Sequence, residues 1–209
     1  MKKKYIITSI VLLICSIVFT ILLTKVDVKS VGVDREVGFS TLNNKLTFSY
    51  NETIYKVTEV LGYVALLIPV VYAGIGLLQL IKRKSIKKID KELFILAGFY
   101  AIVLLTYIFF EKVVINYRPV MLDGEFEASY PSSHTLMSLF FGISAIILNK
   151  KLFKDKTKLI NIGLLILSLS IVIGRYISGV HWFTDIVGSI FIASTLLTAF
   201  ASFISNKQE

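Results

Sequence analysis

Apolar residues fall in six long blocks separated by short polar segments. A membrane-spanning helix needs about 20 mainly apolar residues. The blocks at 5–24, 57–81, 93–114, 133–148, 160–176 and 182–203 therefore predict six transmembrane helices. The fourth and fifth are short, and both adjoin polar motifs. Irregular backbone is tolerated at membrane depth where it lines a buried site, so their shortness points either to such a site or to a tilted or thin span. Neither an internal repeat nor a linker divides the chain. Residues 1–209 read as one all-α integral membrane domain, a six-helix bundle.

The first block follows Lys2-Lys3-Lys4, as a signal peptide would. At about 20 residues it exceeds a signal core, and no small-x-small cleavage site follows it, so an uncleaved first helix is expected. Ile14 precedes Cys15 where a lipoprotein cleavage site has a small residue, so Cys15 is read as an ordinary lipid- or core-facing residue.

Composition agrees with the pattern. The 209 residues are 55% hydrophobic and 18% charged, with mean hydropathy +0.75, whereas soluble domains are nearer half apolar and a quarter charged. Disorder, collagen-like repeats and a disulfide scaffold are excluded, and one cysteine makes no internal disulfide. The net charge of +9 raises the question of nucleic acid, but its distribution answers otherwise. With the N-terminus inside, the inner segments hold 15 Lys and Arg and the outer segments hold 8. This bias places both termini in the cytoplasm. The basic excess belongs to cytoplasmic loops facing anionic lipid headgroups, so the expected surroundings are a bilayer and no nucleic acid. The longest polar stretch, 25–56, is either an amphipathic surface segment or a loop that caps a site.

Three clusters carry the chemistry, all at the outer end of the bundle. Lys112 to Arg118-Pro119 ends the third block, where the planar fork of Arg118 suits phosphate or carboxylate oxygens and Pro119 ends the helix. Alone, such residues usually just snorkel to the interface. Pro131-Ser132-Ser133-His134 opens the fourth block. A helix N-terminus with serines binds anions, and His134, one turn inside, is placed to give a proton to a departing oxygen. A plain capped helix start would look the same. Arg175 to His181 to Asp185 bridges the last two blocks, with Ser178-Gly179 as the turn returning Arg175 towards His181. Four residues apart, His181 and Asp185 share a helix face, so the carboxylate can hold one imidazole nitrogen while the other attacks. Trp182 reads as an interfacial belt residue. His134 and His181 are the only histidines. Two arginines, two histidines, an aspartate and a serine-rich helix start suit phosphoryl transfer to histidine. No metal or other cofactor is required, and neither HExxH nor GxxxxGK spacing occurs.

These motifs resemble those of the type 2 phosphatidic acid phosphatase (PAP2) superfamily of membrane lipid phosphatases, KxxxxxxRP, PSGH and SRxxxxxHxxxD. The motifs cover about 75 residues, and the six-span layout covers essentially the whole chain. The resemblance implies that His181 attacks phosphorus to form a phosphohistidine and that Asp185 orients it. It implies that His134 protonates the leaving group and then helps activate water. Arg118, Arg175 and Ser132, with N–H groups near Ser133, would hold the phosphoryl oxygens. Three positions depart from the family pattern. Glu111 stands at the lysine position, with Lys112 one residue nearer Arg118. On a regular helix Glu111 shares a face with Arg118 and Lys112 points about 120° away. Either a bulge brings Lys112 in, or Glu111 faces the site, where it could pair with Arg118, a cationic headgroup or water. Ser133 replaces a glycine, and Gly174 replaces a serine.

The leading expectation is a metal-independent phosphatase at the outer face of a bacterial plasma membrane. Its substrate would be a lipid phosphate or pyrophosphate, with undecaprenyl pyrophosphate first and phosphatidylglycerophosphate or phosphatidate next. A lipid phosphotransferase would use the same residues, and a non-catalytic lipid-phosphate binder is the non-enzyme alternative. The oligomeric state is not legible in the sequence.

Overall fold

The structure is a computed structural model describing residues 2–32, 35–122 and 124–205. Val33 of the polar stretch and Lys207 of the inner charge tally lie outside the described residues. In chain order the elements are α1 (Lys2–Leu23), β1 (Lys29–Gly32), β2 (Arg35–Val37), α2 (Ser40–Leu46) and α3 (Glu52–Arg83), followed by α4 (Lys91–Lys112), α5 (Ser133–Leu152), α6 (Lys158–Ile177) and α7 (Phe183–Ile204).

Six of these helices are long and apolar enough to cross a membrane, every one except α2. The chain is thus a multi-pass all-α bundle. Helix α3 has 32 residues, or about 48 Å at 1.5 Å per residue. This exceeds the roughly 30 Å hydrocarbon core, so part of the helix extends beyond it. Helices α5 and α6 have 20 residues each. Neither is a short span, and the clue drawn from shortness falls away: α5 continues past Leu148 to Leu152, and in that last turn Lys151 pairs with Glu92 (3.0 Å) and bonds the Ile204 carbonyl.

Helices α5 and α7 form the centre. Over their most apolar windows, 56% and 44% of residues are buried, against 11–22% for the other four spans. α5 packs against α3, α4, α6 and α7, while α1 lies along α7. Phe140 and Phe200 meet edge to face at 6.2 Å, within a core that includes Leu96, Val103, Leu136 and Ala193. Small residues permit close approach, as is usual between membrane helices. At Gly142 any Cβ would meet Ser168 Oγ at 2.1 Å, and that hydroxyl bonds the Ser138 carbonyl across the helix pair.

The polar stretch after α1 folds over one end of this bundle. β1 and β2 form a small antiparallel hairpin, and α2 docks on the start of α7. Buried Asn43 donates to the Gly38 carbonyl and to Thr184 Oγ1 (both 2.9 Å), while its own oxygen accepts the Thr184 N–H (3.1 Å). Thr47 Oγ1 accepts the Phe183 N–H, and the Asn51 N–H bonds Ser178 O. Of the two readings left open for this stretch, the cap is the one realised.

Candidate active site

α4 stops at Lys112, seven residues before Pro119, so the proline does not end the helix. The described residues of 113–122 and 124–132 instead make a loop with bridges Tyr117↔Ala128 and Leu122↔Glu125. Because Arg118 lies on this loop, the helix-face comparison of Glu111 and Lys112 with Arg118 does not apply. Arg118 Nη2 pairs with Glu127 at 2.9 Å across the loop, leaving Nη1 buried and without a partner. Glu111 lines a narrow crevice with Pro131 and Ser133. Lys112 is exposed, and among the described residues no ion pair ties it to the cluster.

α5 begins as the serines suggest, with one difference. Ser132 is the N-cap and Pro131 precedes it, rather than occupying the first turn. The Ser132 hydroxyl caps nothing and is fully buried without a partner. Its carbonyl accepts the first helical bond, from Leu136 N–H at 2.9 Å. The N–H groups of Ser133, His134 and Thr135 therefore have no intrahelical acceptor.

The last motif turns at Ser178-Gly179, with Gly179 at φ +68°. A Cβ there would lie 2.3 Å from Phe48 O, so the turn requires glycine and presses on the chain entering α3. His181 consequently stands just before α7, whose N-cap is Trp182, rather than inside a helix with Asp185. Their separation is 3.8 Å between Nδ1 and Oδ2, too long for a hydrogen bond. Asp185 accepts instead from the Trp182 N–H (2.9 Å), from Asn116 Nδ2 (3.0 Å) and from Ser129 Oγ. The Ser129 hydroxyl also touches His181 Nδ1 at 3.1 Å. Trp182 is no interfacial belt residue: it is buried and donates its indole N–H to the Tyr117 carbonyl (2.6 Å).

Arg175, in the last turn of α6, is buried. Its guanidinium lies 4.8 Å above the Tyr55 ring, with Nε and Nη2 unbonded. Arg118, His134, Arg175 and His181 all lie within electrostatic range of one another. Six buried side-chain N or O atoms lack a partner among the described residues. Four belong to Arg118, Ser132 and Arg175, and the other two to Thr135 and Tyr100. Leaving such donors empty is costly, most of all for charged groups. A tetrahedral oxyanion supplies the acceptors they lack and offsets two neighbouring positive charges.

His134 faces α3 at Gly62, where a Cβ would lie 2.4 Å from its Cδ2. The same ring lines a cavity of about 320 Å³ walled by Leu66, Leu104, Met137 and Phe141. An anion-sized cradle thus adjoins an apolar chamber.

The structure brings together His134, His181, Asp185, Arg118, Arg175, Ser132 and Ser133, with Glu111 at the margin and Lys112 outside. Sequence reading misses Ser129, Asn116 and Gly62. None lies in a diagnostic spacing; only the folded loop and the α3–α5 contact bring them in.

The family model of the PAP2 superfamily matches residues 94–209. Comparison with curated proteins finds no match. Among solved structures, a transmembrane PAP2-type phosphatidylglycerolphosphate phosphatase from Bacillus subtilis has the same fold. It superposes with a TM-score of 0.65 over 94% of this chain and 96% of that one, at 15% identity. The family match contains all three motif-bearing segments and the solved structure shares the fold: this chain belongs to the PAP2 superfamily and is a multi-pass membrane phosphatase.

Proposed function

We propose that the chain hydrolyses a lipid phosphate or pyrophosphate through a phosphohistidine, without a metal, at the outer face of a bacterial plasma membrane. One observation carries this reading. Four partnerless buried atoms on Arg118, Ser132 and Arg175 accompany an apolar cavity lined by His134, a residue within range of the charge of both arginines. The cradle suits a phosphoryl group, and the cavity suits the chain that follows it.

In the first step His181 Nε2 gives its lone pair to phosphorus. The bond from phosphorus to the leaving oxygen breaks, and that oxygen takes a proton from His134. In the second, water returns a proton to His134 as its oxygen displaces His181. Arg118, Arg175, Ser132 and the first N–H groups of α5, Ser133 among them, hold the equatorial oxygens. Fixed donors of this kind act on charge as it develops.

Undecaprenyl pyrophosphate is the favoured substrate, since hydrolysis on the outside would recycle that carrier. Phosphatidylglycerophosphate is the second, because the solved structure sharing the fold is described as a phosphatase of that lipid. The test is phosphate release by purified protein in detergent with EDTA. Undecaprenyl pyrophosphate, phosphatidylglycerophosphate and phosphatidate are compared for wild type and His181→Ala. Release that the substitution abolishes supports the histidine route, and the fastest lipid identifies the class. Failure of folded wild-type protein to release phosphate from any of them would overturn hydrolysis and favour transfer to an acceptor or binding alone.

A further inference from the structure

The carboxylate that should orient His181 does not reach it. Asp185 Oδ2 stops 3.8 Å from Nδ1. It is held there by the Trp182 N–H on Oδ2 and by Asn116 Nδ2 on Oδ1. Ser129 Oγ fills the gap, bonded to Asp185 Oδ2 on one side and 3.1 Å from His181 Nδ1 on the other. Ser129 itself is buried.

The proton count decides the direction of this chain. An ionised carboxylate only accepts, and a serine hydroxyl has one proton to give. That proton goes to Asp185, so Ser129 presents a lone pair to His181, and Nδ1 must be the nitrogen that carries hydrogen. A neutral imidazole with hydrogen on Nδ1 has its lone pair on Nε2.

We propose that Ser129 is a positioning residue that fixes His181 in the tautomer with a free Nε2 and relays the charge of Asp185 to it. The proposal rests on the reading of His181 as nucleophile. As Nε2 bonds phosphorus, the ring becomes cationic and its Nδ1 proton stays in place against Ser129. No proton need leave the chain. If Ser129 is removed, Asp185 remains held by its other two donors, and Nδ1 loses its acceptor.

A chain with two histidines allows a direct test. Histidine labelled with ¹⁵N is incorporated, and the ring signals are recorded in micelles near neutral pH, with His134→Gln to assign those of His181. The expected wild-type result is a protonated Nδ1 and an unprotonated Nε2. In Ser129→Ala the tautomers mix or invert. In the same variant kcat falls roughly 10- to 100-fold with KM within about threefold, less than the roughly 10⁴-fold cost of losing an orienting carboxylate outright. Ser129→Thr, which keeps the hydroxyl, retains kcat within about threefold. Hydrogen on Nε2 in the wild type would overturn the proposal, as would a Ser129→Ala enzyme with wild-type kcat. The wild-type spectrum needs no variant to fold. Full activity in His181→Ala would instead remove the nucleophile reading, which the tautomer measurement does not depend on.

Discussion

His181 is enclosed by protein, and burial takes its imidazole down to about 4; the negative charge of nearby Asp185 opposes that shift, while Arg118 adds to it. Two consequences follow from that direction. The nucleophilic neutral form persists far below the usual histidine pKa of about 6.5, so the acid limb of kcat/KM due to this group should lie near pH 4. A phosphate-release profile falling with a midpoint near 6.5 would contradict it. The second concerns folding. Between the unfolded value and about 4, the unfolded chain binds the proton that native His181 refuses, so stability falls as pH drops through this window. Thermal unfolding in detergent from pH 7 to 4 would register the decline. The arginines give a further contrast. Arg175→Lys replaces a planar fork by a point charge and should lower kcat/KM on the order of 100-fold. Lys112→Ala, at an exposed helix end, should change it by less than about threefold.

Helices act here through their closest approaches. α3 meets the His134 ring at Gly62 with no room for a methyl group, so this glycine sets where the proposed acid stands. Gly62→Ala should push the ring aside and lower kcat about 10-fold or more, since errors near 1 Å in a reacting group can cost about 100-fold. A variant with unchanged kcat would show that the ring has slack. The cap formed by α2 works differently. Asn43 joins Gly38 to Thr184 through three hydrogen bonds, two of them to backbone groups. Asn43→Ala strands these groups in a buried setting and should destabilise the fold by about 1–3 kcal/mol per unsatisfied group, visible as a lowered Tm.

At the scale of the whole molecule, the site sits at the end of the bundle opposite the α3–α4 and α5–α6 connections, around which most of the clustered lysines lie. The loop charges predict that the capped end faces outward. Cys15 is the single cysteine, so a cysteine-free chain is one substitution away. On that background a cysteine at Lys45 should react with a membrane-impermeant maleimide on intact cells. One at Lys87 should react only after lysis, and the reverse pattern would invert the topology and move the site to the cytoplasm.

Apolar block length and motif residues were enough to determine the bundle and its number of spans, and to name candidates for the site. Solvent partition acts on each block separately, and a phosphoryl cradle needs arginine, histidine and helix-start N–H groups wherever they meet. His134, Arg118, Arg175 and Asp185 could therefore be picked out one motif at a time. What depended on contacts between distant segments was decided only by the tertiary structure. α4 ends early and frees Arg118 onto a loop. Gly179 turns His181 out of the helix that Asp185 begins. The gap this opens is filled by Ser129, a residue from the loop between α4 and α5 whose neighbours in sequence give no sign of it. Hydrogen bonds depend on positions to within a few tenths of an ångström, and no periodicity along a chain carries that information.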